Sequence, residues 1–199
     1  WQAKIQNVVD RIRHFPYNRG VWERRCPFGC RRDLEQDMQQ AQQYGIEEID
    51  LVIVDLYPFE ETVASGACDA DIIEKIDIGG ISLIRGAAKN YKDVVIVASK
   101  GQYAPLMEML NKNGAASTIE ERRWFAKEAF AVSSSYDSAI FNYFDNDNQS
   151  AFRAAADNAK SLRYGENPHQ KGAFFGNFDE MFEQIHGKEI SYNNLLDID

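Results

Sequence analysis

Cysteine is scarce in this chain: Cys26, Cys30 and Cys68 are the only three in 199 residues. An odd number without dense spacing excludes a disulfide-stapled secreted scaffold and fits a reducing, cytoplasmic setting. Cys26-x3-Cys30 has no second Cys/His pair at zinc spacing, so no metal centre is expected. Basic charge is also in short supply, with 22 Lys+Arg against 31 Asp+Glu, a net charge of −9 and a pI near 4.9. Such a balance cannot neutralise phosphate in bulk, which argues against nucleic acid and anionic membrane as partners. It leaves room for a local cationic pocket holding one small phosphorylated ligand. No apolar run approaches the roughly 20 residues that span a bilayer, and no signal peptide is visible. The length allows one good core, or one domain and the beginning of another.

What the chain does contain is concentrated around Ile76-Asp-Ile-Gly-Gly80 and the helical pattern that follows it. Asp77 stands where an N-cap belongs. Gly79 and Gly80 allow backbone N–H groups to approach a ligand at the positive end of a helix. From there Ser82, Arg85 and Lys89 recur on one face, while Ile81, Ile84 and Ala88 line another. Upstream, Ile49 to Leu56 is a near-continuous apolar run that predicts a strand covered on both faces, ending in the loop Tyr57-Pro58-Phe59. A strand end beside a helix start is where open α/β sheets bind ligands.

The rest of the chain reads as alternating elements. Helices are predicted over Asp33–Tyr44, Asp69–Lys75, Gly80–Asn90 and Gln102–Leu110, and a second buried strand over Val94–Ala98. Helices between the two strands imply a parallel crossover. Thr118-x-x-Glu121 is a capping box opening a long helix to about Phe144, with Phe125, Ala129, Val132, Tyr136, Ile140 and Tyr143 on one stripe that reads as core or as a subunit contact. Polar, turn-prone residues from Asp145 predict a boundary, giving segments 1–30, 31–150, a linker over 151–161, and 162–199. The last segment is too short to bury a core alone.

Five motifs occur in order: Asp55-Leu-Tyr-Pro-Phe-Glu-Glu-Thr-Val63, Ile76-Asp-Ile-Gly-Gly80, Ala87-Ala-Lys-Asn90, Arg163-Tyr-Gly-Glu-Asn-Pro-His-Gln170 and Ser191-Tyr-Asn-Asn-Leu-Leu196. Together they resemble the bifunctional purine-biosynthesis family that joins AICAR transformylase to IMP cyclohydrolase. The resemblance runs from about Arg31 to the last residue. It implies a methylglyoxal-synthase-like parallel α/β sheet flanked by helices, incomplete here, followed by the start of a second α/β domain. It also implies dehydrating ring closure of formylated AICAR to inosine monophosphate, without metal or redox cofactor. Formyl transfer from the co-substrate 10-formyltetrahydrofolate belongs to the second half.

By the same resemblance Tyr57, Asp77 and Lys89 are the catalytic candidates for cyclisation. Asp55, Gly79, Gly80 and Asn90 are candidates for substrate binding there, and Arg163, Tyr164 and Asn194 for substrate binding in the transformylase half. Tyr57 would donate to the formyl oxygen, Asp77 accept the amide proton, and Lys89 return a proton or stabilise negative charge. Competing roles stay open: a packing aromatic for Tyr57, a helix cap for Asp77, a dipole complement for Lys89. A straight helix separates Gly79 from Lys89 by about 15 Å. Asp77 and Lys89 would then hold opposite ends of a nucleotide, or serve a site shared between subunits. Asp55 stands where the family more often carries Asn, and an ionised carboxylate only accepts. His169, a tempting general base, reads as structural.

The opening segment fits poorly. Seven of the twelve arginines precede Asp33, and the family's Gly-Gly-Arg-Val-Lys-Thr-Leu-His-Pro-Lys motif does not appear in residues 1–30. That stretch is expected to be divergent, misassembled or out of frame. With Trp1 first, a fragment or processed product is expected, and the transformylase Lys-His pair falls beyond Asp199. The chain as given is therefore expected to be inactive, although the intact enzyme would be a homodimer. An alternative is a non-catalytic module of the same fold that senses a phosphorylated effector. Methylglyoxal synthase itself is disfavoured by the tail after Leu162.

Overall fold

The computed structural model describes residues 31–45, 47–146, 150–156 and 159–198. Residues 1–30, with the expected divergent segment and with Cys26 and Cys30, lie outside the described residues. Two compact units divide between Gln149 and Ser150.

The first unit opens with α1 (Glu35–Gln43), whose first turn carries Glu35 and Asp37 against the positive end of the helix. Gly45 follows at φ +61°, a left-handed residue that the chain needs to leave the helix. Strands β1 (Leu51–Ile53) and β2 (Val95–Val97) pair in parallel, with Leu51 opposite Val95, Val52 opposite Ile96 and Ile53 opposite Val97. The parallel arrangement matches the sequence expectation. The strands are shorter than the apolar runs, although Val95 N–H still reaches Asp50 O at 2.8 Å and Val54 N–H reaches Val97 O at 2.9 Å. Beyond Val54 the chain leaves the ladder toward Pro58, which has no N–H to donate.

Between the strands run α2 (Phe59–Ala64), α3 (Asp69–Ile73) and α4 (Gly79–Lys89). After β2 come a 3₁₀ turn (Lys100–Gln102), α5 (Tyr103–Lys112) and the long α6 (Ile119–Asp145). Both arms of the expected capping box are made: Glu121 N–H donates to Thr118 Oγ1 at 3.2 Å, and Thr118 N–H donates to the Glu121 carboxylate at 2.8 Å. Among the described residues no helix is long and apolar enough to cross a membrane.

Period-two alternation distributes the strands between two helical layers. Val52, Val94, Ile96 and Ala98 pack with Ile84, Ala87 and Ala88 of α4 and with Ala126 and Ala129 of α6. The alanines let both helices lie close to the sheet. Val95 and Val97 face the other way, onto Leu106 and Met109 of α5 and onto Phe125. A third cluster joins Phe59 of α2, Ile72 of α3 and Tyr136 of α6, flanked by Ile140 and Tyr143. The stripe read from the sequence on α6 is core, one of its two expected roles.

In the second unit β3 (Ala159–Leu162) pairs antiparallel with β4 (Gly172–Phe175). Phe174, Phe178 and Phe182 meet at centroid separations of 5.1–6.2 Å, and the Lys160 ammonium lies 4.0 Å from the Phe178 centroid. Short helices α7 (Phe178–Met181) and α8 (Tyr192–Leu196) complete the unit.

Candidate functional site

The candidate site is built at the turn between α3 and α4. Asp77 is only 9% exposed, and its Oδ1 accepts the Gly80 N–H at 2.6 Å. The carboxylate thus caps α4 in fact, through a side chain that sits two residues before the first helical residue. It also lies across the face of Gly80. A Cβ there would come within 2.7 Å of Asp77 Oδ2 and 2.9 Å of its Cγ, so position 80 admits only glycine while the carboxylate stays in place. Gly79 has open space at its own Cβ position and is exposed.

One hydroxyl holds the backbone of this turn. Tyr136 Oη accepts the Asp77 N–H at 2.8 Å and donates to Lys75 O at 2.6 Å. Burial pushes the Tyr136 phenol above its ordinary range, so the donor stays protonated at neutral pH. Its ring meets Phe59 edge-on at 6.0 Å, and Phe59 meets Tyr143 at 5.8 Å. Two residues before Phe59, Tyr57 is 57% exposed, and the Lys75 ammonium stands 6.0 Å from the Tyr57 ring centroid. Lys75 therefore belongs to both neighbourhoods, beside the Tyr57 ring and on the turn that carries Asp77. Neither Lys75 nor Tyr136 was singled out for a site role in the sequence. The available signal was chemical: a tyrosine on a core stripe must find a partner for its hydroxyl.

Asp55, a candidate for substrate binding, has a partner within the chain. Tyr103 Oη donates to Asp55 Oδ2 at 2.5 Å, and this bond, with desolvation and the nearby negative charge, pushes the Tyr103 pKa up to about 12. A raised pKa means the contact contributes stability below the ordinary tyrosine value near 10, and that contribution is lost as pH rises through about 12. In the difference between alkaline absorbance titrations of the parent and Asp55→Asn, one tyrosine is expected to move from about 12 toward 10. Identical titration curves would show that the pair does not form in solution.

Further along α4, Ser82, Arg85 and Lys89 are exposed and Ile84 and Ala88 are buried, as the helical spacing predicted, while Ile81 is half-buried and Ala87, outside the predicted face, is buried. Arg85 Nη1 donates to Ser133 Oγ at 3.1 Å, and its guanidinium lies 5.6 Å from the Phe130 ring centroid. Lys89 occupies the last turn of an unbroken helix, at the end remote from Asp77, about 15 Å along the axis from Gly79. Asn90, the C-cap, is buried, and its carbonyl accepts from Asp93 N–H and Val94 N–H at 3.0 and 3.1 Å.

In the second unit the backbone brings two motifs side by side. Arg163 N–H donates to Ile190 O at 3.0 Å, and Tyr192 N–H donates to Tyr164 O at 3.2 Å. The exposed Arg163 guanidinium rests 4.8 Å from the Tyr164 ring centroid and donates to its hydroxyl at 3.2 Å. Asn194 Oδ1 is engaged in a capping box, accepting from Ser191 N–H at 3.1 Å and from Ser191 Oγ at 2.8 Å. Arg163, Tyr164 and the α8 cap are thus neighbours. His169 is exposed on the loop between β3 and β4.

Comparison with known proteins gives a consistent family. Residues 87–199 match the family described as AICARFT/IMPCHase bienzyme. A protein of Bacteroides thetaiotaomicron named "Bifunctional purine biosynthesis protein PurH" is 76% identical over 169 residues, covering 85% of this chain and 33% of that one. Proteins of the same name from Rippkaea orientalis and Rhodospirillum rubrum are 42% and 44% identical, covering 85% and 84% of this chain. They are covered over 35% and 34% of their own length, so the chain spans about a third of the curated relatives that it matches. A solved structure titled "Crystal structure of ForH" aligns with a TM-score of 0.48 at 29% identity, covering 59% of this chain and 61% of that one.

Proposed function

Because the chain belongs to the AICARFT/IMPCHase bienzyme family, we propose that it contributes to the two last chemical steps of purine ring assembly, with cyclisation centred on Asp77. The observation that carries this reading is the buried Asp77 carboxylate, fixed by Gly80 N–H on one oxygen, on a turn whose Lys75 also reaches Tyr57. Names of the PurH relatives support a substrate of the purine pathway.

In ring closure the carboxamide nitrogen attacks the formyl carbon, forming a new N–C bond as it gives up one N–H proton. The C–O bond then breaks as the formamide nitrogen gives up its own N–H proton to form the ring C=N, and the formyl oxygen departs as water with those two protons. Most of the rate in such an intramolecular reaction comes from holding the reacting atoms together. Asp77 Oδ2, the carboxylate oxygen not bonded to Gly80, takes the proton that leaves the carboxamide nitrogen. Tyr57 donates its phenolic proton as a hydrogen bond to the formyl oxygen, and the Lys75 ammonium beside it favours the charge that develops there. Lys89 and Asn90, at the far end of α4, serve a distant part of the nucleotide or a site completed by a second copy. Gly79 and Gly80 lend the amide-rich start of the helix.

In the second unit Arg163, Tyr164 and Asn194 hold the nucleotide for formyl transfer from 10-formyltetrahydrofolate, with Arg163 suited to a phosphate or carboxylate. This reading carries with it a cytoplasmic homodimer acting on a small phosphorylated nucleotide. The test is to supply the full-length enzyme carrying this sequence with the formylated nucleotide and follow inosine monophosphate by absorbance. Turnover is the expected outcome. Tight nucleotide binding without turnover would favour the effector-sensing module instead.

A further inference from the structure

Tyr136 lies in the middle of α6, 59 residues after Asp77 in the sequence, yet it touches both segments of the proposed cyclisation site. Its hydroxyl bonds the backbone of the Asp77 segment at two points, Asp77 N–H and Lys75 O. Its ring packs edge-on against Phe59, two residues after Tyr57. The residue is 6% exposed, which shields its side chain from bulk water. α6 is also the longest helix among the described residues and is anchored by a complete capping box and by core residues along its length. A rigid element therefore sets where both loops stand.

From this we infer that Tyr136 is a positioning residue for cyclisation, holding the Asp77 carboxylate and the Tyr57 arm in register through one side chain. The inference rests on the proposed role of Asp77. Phenylalanine at 136 would keep the contact with Phe59 and lose both hydrogen bonds, leaving Asp77 N–H without its acceptor. Small displacements of a reacting group are costly, of the order of a hundredfold for about 1 Å.

The test is a double-mutant cycle on kcat in the full-length enzyme, using Tyr136→Phe, Asp77→Asn and the double variant. Ile140→Val serves as a core-softening control on the same helix. Tyr136→Phe is expected to lower kcat about tenfold to a hundredfold with little change in KM. In the Asp77→Asn background it should change kcat by no more than about twofold, because placing a missing acceptor gains nothing. Ile140→Val should lower the melting temperature and leave kcat in place. Equal losses in both backgrounds, or a matching loss from Ile140→Val, would mean that Tyr136 acts through general stability and would overturn the inference. Normal kcat in Tyr136→Phe alongside an impaired Asp77→Asn would overturn it while sparing the cyclisation reading. Normal kcat in Asp77→Asn would remove that reading, and this inference with it. Should Tyr136→Phe not fold, Phe59→Leu tests the other arm. It keeps the hydroxyl bonds, and an unchanged kcat there would refute the coupling of the two segments.

Discussion

Asp77→Asn in the full-length enzyme is expected to lower the cyclisation kcat by about 10²–10⁴-fold while changing nucleotide affinity little. The structure makes this a clean substitution. An asparagine Oδ1 can still accept the Gly80 N–H, which the aspartate does at 2.6 Å, and asparagine caps helices about as well as aspartate. The backbone bonds to Tyr136 involve the Asp77 N–H and Lys75 O, so they survive any change of side chain at 77. What disappears is the charge and basicity of the second carboxylate oxygen. Steady-state kinetics with the formylated nucleotide, beside a melting curve, reads both quantities. An unchanged kcat with a raised KM would assign Asp77 to binding or capping alone.

Gly80→Ala and Gly79→Ala should part company, although both place alanine in the first turn of the same helix. Alanine ordinarily favours a helix over glycine by about 0.5–1 kcal/mol. At Gly79 the Cβ enters open space, so a stability gain of that size is expected. At Gly80 the Cβ would stand 2.7 Å from Asp77 Oδ2, and the carboxylate must swing off the turn. The cap bond is then lost, at a cost of about 0.5–2 kcal/mol, which cancels or exceeds the propensity gain. More consequential is the displaced proton acceptor, for which a fall in kcat of about a hundredfold is expected. Thermal melts and turnover of both variants check this. A stabilised and fully active Gly80→Ala would show that the carboxylate does not need its present position.

Much of this was legible in the residues. The α6 stripe, the Thr118–Glu121 box, five of the first unit's helices and the parallel pairing all follow from local periodicity or from how many elements separate the two apolar runs. So does the cap at Asp77, since an acidic residue before a Gly-Gly turn needs no distant information. The helix over Phe59–Ala64 and the elements of the second unit, by contrast, were not read from the sequence. The strands came out shorter than their apolar runs because hydrophobicity marks burial rather than pairing: Val94 and Ala98, on either side of β2, are buried although they lie outside the strand.

What the sequence by itself determined, then, are the features written in short-range spacing: where five of the helices lie, which faces are apolar, and which motifs the chain carries. Only the tertiary structure decided the partnerships that cross the chain. Tyr136 finds Asp77 and Lys75 across about 60 residues, Tyr103 finds Asp55 across 48, and Lys75 comes to rest beside Tyr57. The helical period of α6 says that position 136 faces inward, but it cannot say which backbone N–H waits there. That depends on how far along the sheet the helix is seated, which the packing of Ala126 and Ala129 against Val52, Ile96 and their neighbours settles.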